Sequence, residues 1–165
     1  MGANGQLGKR SWNPMPSPYH VGDKFNDVQA PQKIYEVVGK LEGMDIVKII
    51  SQNRTSTPTS FDGVIALIQN TGNNKITTIA FYDKVSHRIY RSVDLEFDDT
   101  GNIIPYSSVI HKGKLRVYGS HNHTWYTDEN GKFGRKTHDE HNTGELNAHD
   151  LRLARIIKKF NKHGK

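Results

Sequence analysis

The chain has 165 residues and a formal net charge of +6, a length that favours one domain with its own hydrophobic core. It contains no cysteine, which excludes disulfide frameworks, thiolate metal sites and thiol nucleophiles, and with them cysteine-ligated base deaminases and papain-like hydrolases. No apolar run approaches the roughly 20 residues of a membrane-spanning helix, and the N-terminus lacks the apolar segment of a signal peptide. The sequence therefore predicts a soluble protein without a signal peptide.

The positive charge is concentrated in the last part of the chain. Residues 1–105 carry 11 Lys and Arg against 11 Asp and Glu, whereas residues 106–165 carry 12 against 6. Most of the histidines lie in the same basic part. Because Lys and Arg bind phosphates through counterion release, this distribution favours a polyanionic partner such as nucleic acid.

The N-terminal third is predicted to contain a linker followed by helices. Residues 1–31 are rich in Gly and Pro and have no hydrophobic period, which is typical of a flexible arm. The next stretch, "QKIYEVVGKLEGMDIVKII" over residues 32–50, has apolar residues at helical spacing, with glycines that divide it. This pattern predicts two short helices.

The middle of the chain is predicted to form a four-stranded antiparallel sheet. The segments "GVIALIQ", "KITTIAFYD", "HRIYRSVDLEF" and "KLRVYG" are rich in β-branched and aromatic residues and are separated by turn residues. Strict alternation along the third segment places Arg91 on its mainly apolar face, unless a bulge intervenes. An arginine there is expected to be either an edge residue or a site residue.

The C-terminus is predicted to be an amphipathic helix, capped by Asn142 or Thr143 and carrying Glu145 in its first turn. The order of elements then indicates an α+β fold, with N-terminal helices packed on a small four-stranded antiparallel sheet and a C-terminal helix. Residues 32–165 are predicted to be a single domain of this class.

A His-x-His pair is the strongest chemical signal in the sequence. His121 and His123 follow the strand "KLRVY", and in an extended segment residues two apart point to the same side. Two imidazoles can therefore converge on one substrate atom or one metal ion. The neighbouring Trp125 and Tyr126 can stack on an exposed base or cover the end of the sheet.

Metal-free RNA cleavage is one chemistry that suits these residues. Attack of the 2′-hydroxyl on the adjacent phosphate needs a base, an acid and cations that stabilise the charged intermediate. Histidine fits both proton-transfer roles because its pKa is ordinarily about 6.5. The candidates for phosphate contacts are Arg91, Arg135, Lys136 and Thr124.

The segments "YRSVDLEF" and "GSHNHTWYTDENGKFGRK", His111 between them and the final helix resemble the effector domains of phage MuF-type proteins and bacterial polymorphic toxins. Those domains are grouped with the barnase, EndoU, colicin and RelE-like ribonucleases. The resemblance covers roughly residues 76–160, although Ser120 stands where that family often has proline. It implies a metal-independent endoribonuclease acting on RNA such as tRNA in a bacterial cytoplasm, and a cognate immunity protein as partner. The implied site residues are His111, His121, His123 and Arg135, supported by Arg91 and Asp94.

The same histidines also resemble the His-x-His of JAB/JAMM zinc hydrolases. In that alternative His121, His123 and Asp150 bind zinc, which activates a water molecule, and Asn147 replaces the serine of that family. The gap between His123 and Asp150 is longer than usual there, and the glutamate expected near "SFDGVIAL" is absent. A third alternative is a non-catalytic nucleic-acid-binding module, whose histidines are structural and which needs no cofactor.

Overall fold

The structure is a computed structural model that describes residues 17–135 and 143–163. These residues form twelve β-strands and one α-helix, α1 (Ala148–His163). The strands are β1 (Lys24–Asn26), β2 (Ile34–Leu41), β3 (Met44–Ile49), β4 (Ile65–Gln69), β5 (Ile76–Tyr82), β6 (Ile89–Asp94), β7 (Ser107–His111), β8 (Lys114–Tyr118), β9 (His121–Thr124), β10 (Tyr126–Thr127), β11 (Phe133–Gly134) and β12 (Thr143–Gly144).

Eight strands form one mixed sheet in the order β1-β2-β3-β4-β5-β6-β9-β12. The pair β3 and β4 is parallel, and the other neighbours in this sheet are antiparallel. The remaining strands form two hairpins, β7 with β8 and β10 with β11. The central strand β4 is buried along its whole length, in keeping with the four consecutive apolar residues Ile65–Ile68.

Each face of the large sheet buries a separate hydrophobic cluster. On one face, α1 packs Leu153, Ala154 and Ile157 against residues that include Ile79 and Val93. The opposite face carries an aromatic cluster whose members include Tyr19, Phe25, Tyr35, Phe61 and Tyr82. The two faces are called the helix face and the aromatic face below.

The predicted α+β fold with N-terminal helices is wrong, because residues 34–49 form the hairpin β2–β3. Its two-residue turn, Glu42 and Gly43, has positive φ at both positions (51° and 82°), as the tight turns that suit hairpins require. A bulge between Val37 and Gly39 interrupts the alternation of β2. The bulge gives the strand adjacent apolar residues, and these imitate the spacing of a helix.

The predicted four-stranded sheet is also wrong in size and composition. Strands β4, β5 and β6 are consecutive neighbours, but the segment "KLRVY" leaves the large sheet and pairs with Ser107–His111 instead. The place beside β6 is taken by β9, which contains the His-x-His pair. The sheet then extends to eight strands, and the predicted N-terminal helical layer is absent from the described residues.

The C-terminal helix is present, but it begins later than the predicted caps imply. Thr143 and Gly144 belong to β12, and Asn147 caps α1. The side chain of Asn147 accepts a hydrogen bond from the backbone N–H of Asp150 at 2.8 Å, while a carboxylate oxygen of Asp150 accepts one from the N–H of Asn147 at 3.0 Å. This reciprocal pair satisfies two N–H groups at the start of the helix.

The predicted flexible arm falls partly on residues that the structure describes. Within it, residues 24–26 form the edge strand β1, and the ring of Tyr19 stacks on Phe61 with centroids 4.8 Å apart. Residues 1–16 of the arm, Lys136 and the predicted cap Asn142 lie outside the described residues. Among the described helical residues, none forms a helix with the length and apolar character needed to cross a membrane.

Candidate functional site

Adjacent antiparallel strands bring two histidines and an aspartate together on the aromatic face. In the pairing of β6 with β9, Asp94 lies opposite His121 and Ser92 lies opposite His123. Because residues two apart on a strand share a face, all four side chains project from the same side. The two imidazole rings stand nearly perpendicular, with centroids 4.7 Å apart.

The Asp94 carboxylate is the centre of this cluster. Its Oδ2 accepts a hydrogen bond from Nε2 of His123 at 3.1 Å and one from Nη1 of Arg135 at 3.0 Å, while Nε2 of His121 lies 3.7 Å away. Its Oδ1 accepts a hydrogen bond from the Thr78 hydroxyl at 3.1 Å. Burial by itself raises the pKa of Asp94, but the hydrogen bond from His123 and the charge of Arg135 outweigh it and hold that pKa well below its ordinary value. The carboxylate is therefore ionised at neutral pH.

The backbone before β9 fixes the orientation of His121. The ring Nδ1 of His121 lies 2.7 Å from the carbonyl oxygen of Gly119, and because a carbonyl only accepts, Nδ1 carries the proton. Gly119 has φ of +77°, and a Cβ there would lie 2.0 Å from the carbonyl oxygen of Pro105. Ser120 anchors the same turn through its N–H, which donates to Ile104 at 2.8 Å. In the neutral ring, Nε2 of His121 is consequently the atom that accepts a proton.

Arg135 links the cluster to an aromatic groove. Its guanidinium carbon lies 5.7 Å from the centre of the Trp125 ring, and the indole N–H of Trp125 donates to Ser92 at 2.8 Å. The groove has a volume of about 710 Å³ and runs between the β5–β6 loop and the β10–β11 hairpin. Its walls include the side chains of Tyr90, Trp125, Tyr126, Phe133, Arg88 and Lys84.

Several predicted site residues lie away from the cluster, among them His111 and Thr124. His111 is the last residue of β7 and lies at the tip of the β7–β8 hairpin, where every residue of that strand is exposed. At about 3.3 Å per residue, it stands roughly 13 Å from the hairpin base at Ser107. Thr124 lies opposite Arg91 in the strand pairing and therefore projects from the helix face.

Arg91 and Asp150 form a separate ion pair on the helix face. The guanidinium donates two hydrogen bonds to the carboxylate, from Nη1 at 2.8 Å and from Nη2 at 2.5 Å, and Asp150 is fully buried. A bulge opposite Phe81 and Tyr82 keeps Arg91 on this face with Val93, while Ile89 joins the aromatic face. The carboxylate of Asp150 is therefore not directed at the histidine pair.

A divalent metal ion fits the cluster through Asp94 rather than Asp150. With bond lengths of about 2.0–2.2 Å, a tetrahedral zinc ion sets its ligand atoms about 3.4 Å apart. The distances of 3.1 and 3.7 Å from Asp94 Oδ2 to the two Nε2 atoms lie on either side of that value, and the three ligand atoms all fall within 4.8 Å of one another. The contacts of Gly119 with His121 and of Thr78 with Asp94 are the outer hydrogen bonds that such ligands usually make.

Sequence reasoning did not identify Thr78, Ser92 or Gly119 as parts of the site. Thr78 and Ser92 resemble any other small polar residues of a strand, and only the strand register brings them to the cluster. Gly119 after a strand is a recognisable turn signal, but the sequence does not show that its carbonyl group contacts His121. Comparisons of the chain with protein-family models, with curated proteins and with solved structures gave no match.

Proposed function

We propose that the protein is an endoribonuclease that cleaves single-stranded RNA without a metal ion. The observation that supports this function most strongly is the position of Arg135. It contacts both the Asp94 carboxylate and the Trp125 ring, and thereby places a cation between a proton-transfer cluster and an aromatic groove. A ribonuclease needs these three features side by side: a base, a phosphate-binding cation and a surface for nucleobases.

The proposed reaction begins with proton abstraction by His121. Its Nε2 takes the proton of the 2′-hydroxyl, and the negative charge of Asp94 stabilises the imidazolium that forms. The 2′-oxygen then bonds to phosphorus, and Arg135 stabilises the additional charge on the phosphate oxygens. The bond from phosphorus to the 5′-oxygen breaks, and that oxygen receives a proton from solvent. The products are a 2′,3′-cyclic phosphate and a 5′-hydroxyl, and His121 returns its proton to solvent.

His123 has a positioning role in this scheme. It is buried, with 3% of its surface exposed, and its Nε2–H donates to the ionised Asp94. This hydrogen bond holds the carboxylate beside His121, as aspartate holds histidine in other acid–base sites. The substrate bases are expected to stack in the groove on Trp125 and Tyr126, whose rings accept any base.

Cleavage in the presence of EDTA tests the proposal. The wild-type protein is expected to release cyclic-phosphate products from a single-stranded RNA, and His121→Gln is expected to lower the rate by about 10²–10⁴-fold. His20→Gln is the matched control, because that side chain is 91% exposed and lies outside the cluster. Equal rates for the two variants would contradict the assignment of His121 as the base.

A zinc-dependent hydrolase is the second candidate, supported by the separations of the three possible ligand atoms. Asp94, His121 and His123 would hold the ion, in place of the set that includes Asp150. A bound zinc ion supplies an acidified water molecule as nucleophile. Arg135 would then bind an anionic group of the substrate rather than the Asp94 carboxylate.

Elemental analysis of protein purified without a histidine tag separates the two candidates. The zinc candidate requires about one equivalent of metal that is lost in Asp94→Ala and retained in Asp150→Asn. The ribonuclease requires no metal and retains its activity in EDTA. The remaining features of the proposal are RNA such as tRNA as substrate, action in a bacterial cytoplasm and inhibition by a cognate immunity protein. Sequencing of the RNA cut in expressing cells tests the substrate, and toxicity on expression with and without the neighbouring gene tests the other two.

A further inference from the structure

The β7–β8 hairpin is a two-stranded ribbon with one basic face. The pairing sets Val109 opposite Arg116 and His111 opposite Lys114, so these side chains share a face with Ser107 and Tyr118 at the base. Lys112 and Gly113 form the turn with positive φ of 53° and 76°. All residues of β7 are exposed, and so are the three cations of the ribbon, Lys112, Lys114 and Arg116.

No acidic residue opposes this charge in the surrounding sequence. From residue 100 to residue 127 the chain contains no Asp or Glu, while Lys112, Lys114 and Arg116 give this stretch three positive charges. Within residues 17–135 and 143–163, none of these three cations forms an ion pair, so a polyanion can bind them without breaking one there. The charge of the ribbon is therefore complementary to a phosphate backbone, and not to an uncharged or basic partner.

The ribbon is also joined directly to the candidate site. The ribbon ends where Ser107 pairs with Tyr118. The Gly119–Ser120 turn follows, and then His121 at the start of β9. The hydrogen bond from Ser120 to Ile104 fixes the Gly119–Ser120 turn. This turn is the only segment between the ribbon and His121, the proposed catalytic base. Where the ribbon joins the rest of the chain, Tyr118 is 52% exposed and its ring offers a surface for stacking.

From this arrangement we infer that the ribbon is an RNA-binding arm, which holds the phosphate backbone of a single-stranded substrate through Lys112, Lys114 and Arg116. The inference rests on the proposed function, since it takes RNA as the ligand of the neighbouring site. It adds a substrate-length requirement. Long RNA contacts both the ribbon and the site, whereas a dinucleotide contacts the site alone.

Salt-dependent RNA binding tests the arm. The variant with Lys112→Gln, Lys114→Gln and Arg116→Gln is compared with a control of equal charge, Arg152→Gln, Arg155→Gln and Lys159→Gln, whose side chains are exposed on α1. Both are made in the His121→Gln background so that a 20-nucleotide RNA stays intact. The ribbon variant is expected to bind about tenfold more weakly at low salt, and its slope of log K against log salt is expected to fall by about 2.

Equal losses in the ribbon variant and the control would overturn the inference, as would unchanged RNA binding by the ribbon variant. A second variant, in which Asn-Gly replaces residues 108–117, must show the same loss, and thermal melting checks that both variants are folded. A single-stranded DNA of the same sequence distinguishes contacts to the shared phosphate backbone from contacts to the 2′-hydroxyl.

Cleavage assays with the active protein separate this inference from the proposed function. The ribbon variant is expected to cleave a dinucleotide at the wild-type rate and to cleave long RNA with a raised KM. If no variant cleaves RNA but binding still depends on the ribbon, the proposed function fails and the arm remains. If RNA is cleaved and the ribbon variant has a normal KM for long RNA, the arm fails and the proposed function remains.

Discussion

Two aspartates on opposite faces of the sheet each pair with an arginine, yet their surroundings differ. Asp150 is completely inaccessible to solvent, and its carboxylate is held by both guanidinium nitrogens of Arg91 and by the N–H of Asn147. Asp94 has a side chain that is 31% exposed, and its carboxylate is surrounded by two histidines, Arg135 and Thr78.

The difference separates a structural ion pair from the one that the proposed reaction would use. A buried carboxylate that is fully hydrogen-bonded by one arginine and a helix start has no access to a substrate, and it fixes α1 against the sheet. A partly exposed carboxylate beside two imidazoles and an exposed guanidinium is open to a substrate. The Arg135 side chain is 41% exposed and can reorient toward a phosphate, whereas that of Arg91 is 23% exposed and is held at both nitrogens.

The largest expected effect is on the free energy of unfolding, when the buried ion pair of Arg91 and Asp150 is broken. Asp150→Ala should lower the free energy of unfolding by about 3–5 kcal/mol, because it leaves the Arg91 charge partly buried without its carboxylate. The double variant Arg91→Met, Asp150→Leu should recover most of this loss, since it removes both charges together. Urea unfolding of the three proteins measures the effect, and a loss below about 1 kcal/mol in Asp150→Ala would contradict a structural role.

The partly exposed pair should contribute less to stability and should make that contribution depend on pH. Asp94→Asn is expected to lower the free energy of unfolding by about 1–3 kcal/mol at pH 7, since it weakens the hydrogen bonds to a charged group. The pKa of Asp94 is lowered in the folded state, so its stabilisation is complete above its unfolded pKa of about 4 and is lost as pH falls further.

The gap between wild type and Asp94→Asn should therefore narrow as pH falls below about 4, where the carboxylate of the unfolded chain becomes protonated. Urea unfolding at a series of pH values measures this gap. Thr78→Val is the matched comparison, because it removes one neutral hydrogen bond to the same carboxylate. A gap that stays the same from about pH 4 to about pH 2 would show that the carboxylate is not stabilised in its charged form.

The last prediction concerns RNA binding in the groove next to the partly exposed pair. Tyr126→Ala should weaken binding of a single-stranded RNA by about 1–3 kcal/mol, because one stacking surface is lost. Tyr126→Phe keeps the ring and should bind almost as well as wild type. Fluorescence anisotropy with labelled RNA measures both, and equal affinities for all three proteins would exclude Tyr126 from the binding surface.

The sequence predicted the positions of several strands better than it predicted the fold. The segments rich in β-branched and aromatic residues at β4, β5 and β6 do form strands. These three strands lie in the interior of the large sheet, where such residues are buried. The hairpin β2–β3 was mistaken for helices, because the bulge near Val37 disrupts the period of two on which a strand is recognised. The strand order could not be predicted from the sequence. The segment "KLRVY" has the same residue pattern whether it pairs within a hairpin or within the large sheet.

The candidate site was predictable where it depends on local spacing and unpredictable where it depends on register. The spacing of His121 and His123 correctly implied a common face of an extended strand. Asp94 appeared only as a supporting residue of the resemblance, and its central place follows from the pairing of β6 with β9. The interpretation of Asp150 as a zinc ligand conflicts with its two hydrogen bonds from Arg91. The sequence could not show this contact, because it forms only when α1 packs on the sheet.

The most direct test of the central claim uses an RNA in which the 2′-hydroxyl at the cleaved position is replaced by hydrogen. The proposed reaction uses that hydroxyl as nucleophile, with His121 as its base, so in EDTA the wild-type protein should cleave the unmodified RNA to a 2′,3′-cyclic phosphate. It should leave the modified position intact. Cleavage of the modified RNA at the same position, with products that lack a cyclic phosphate, would contradict the account.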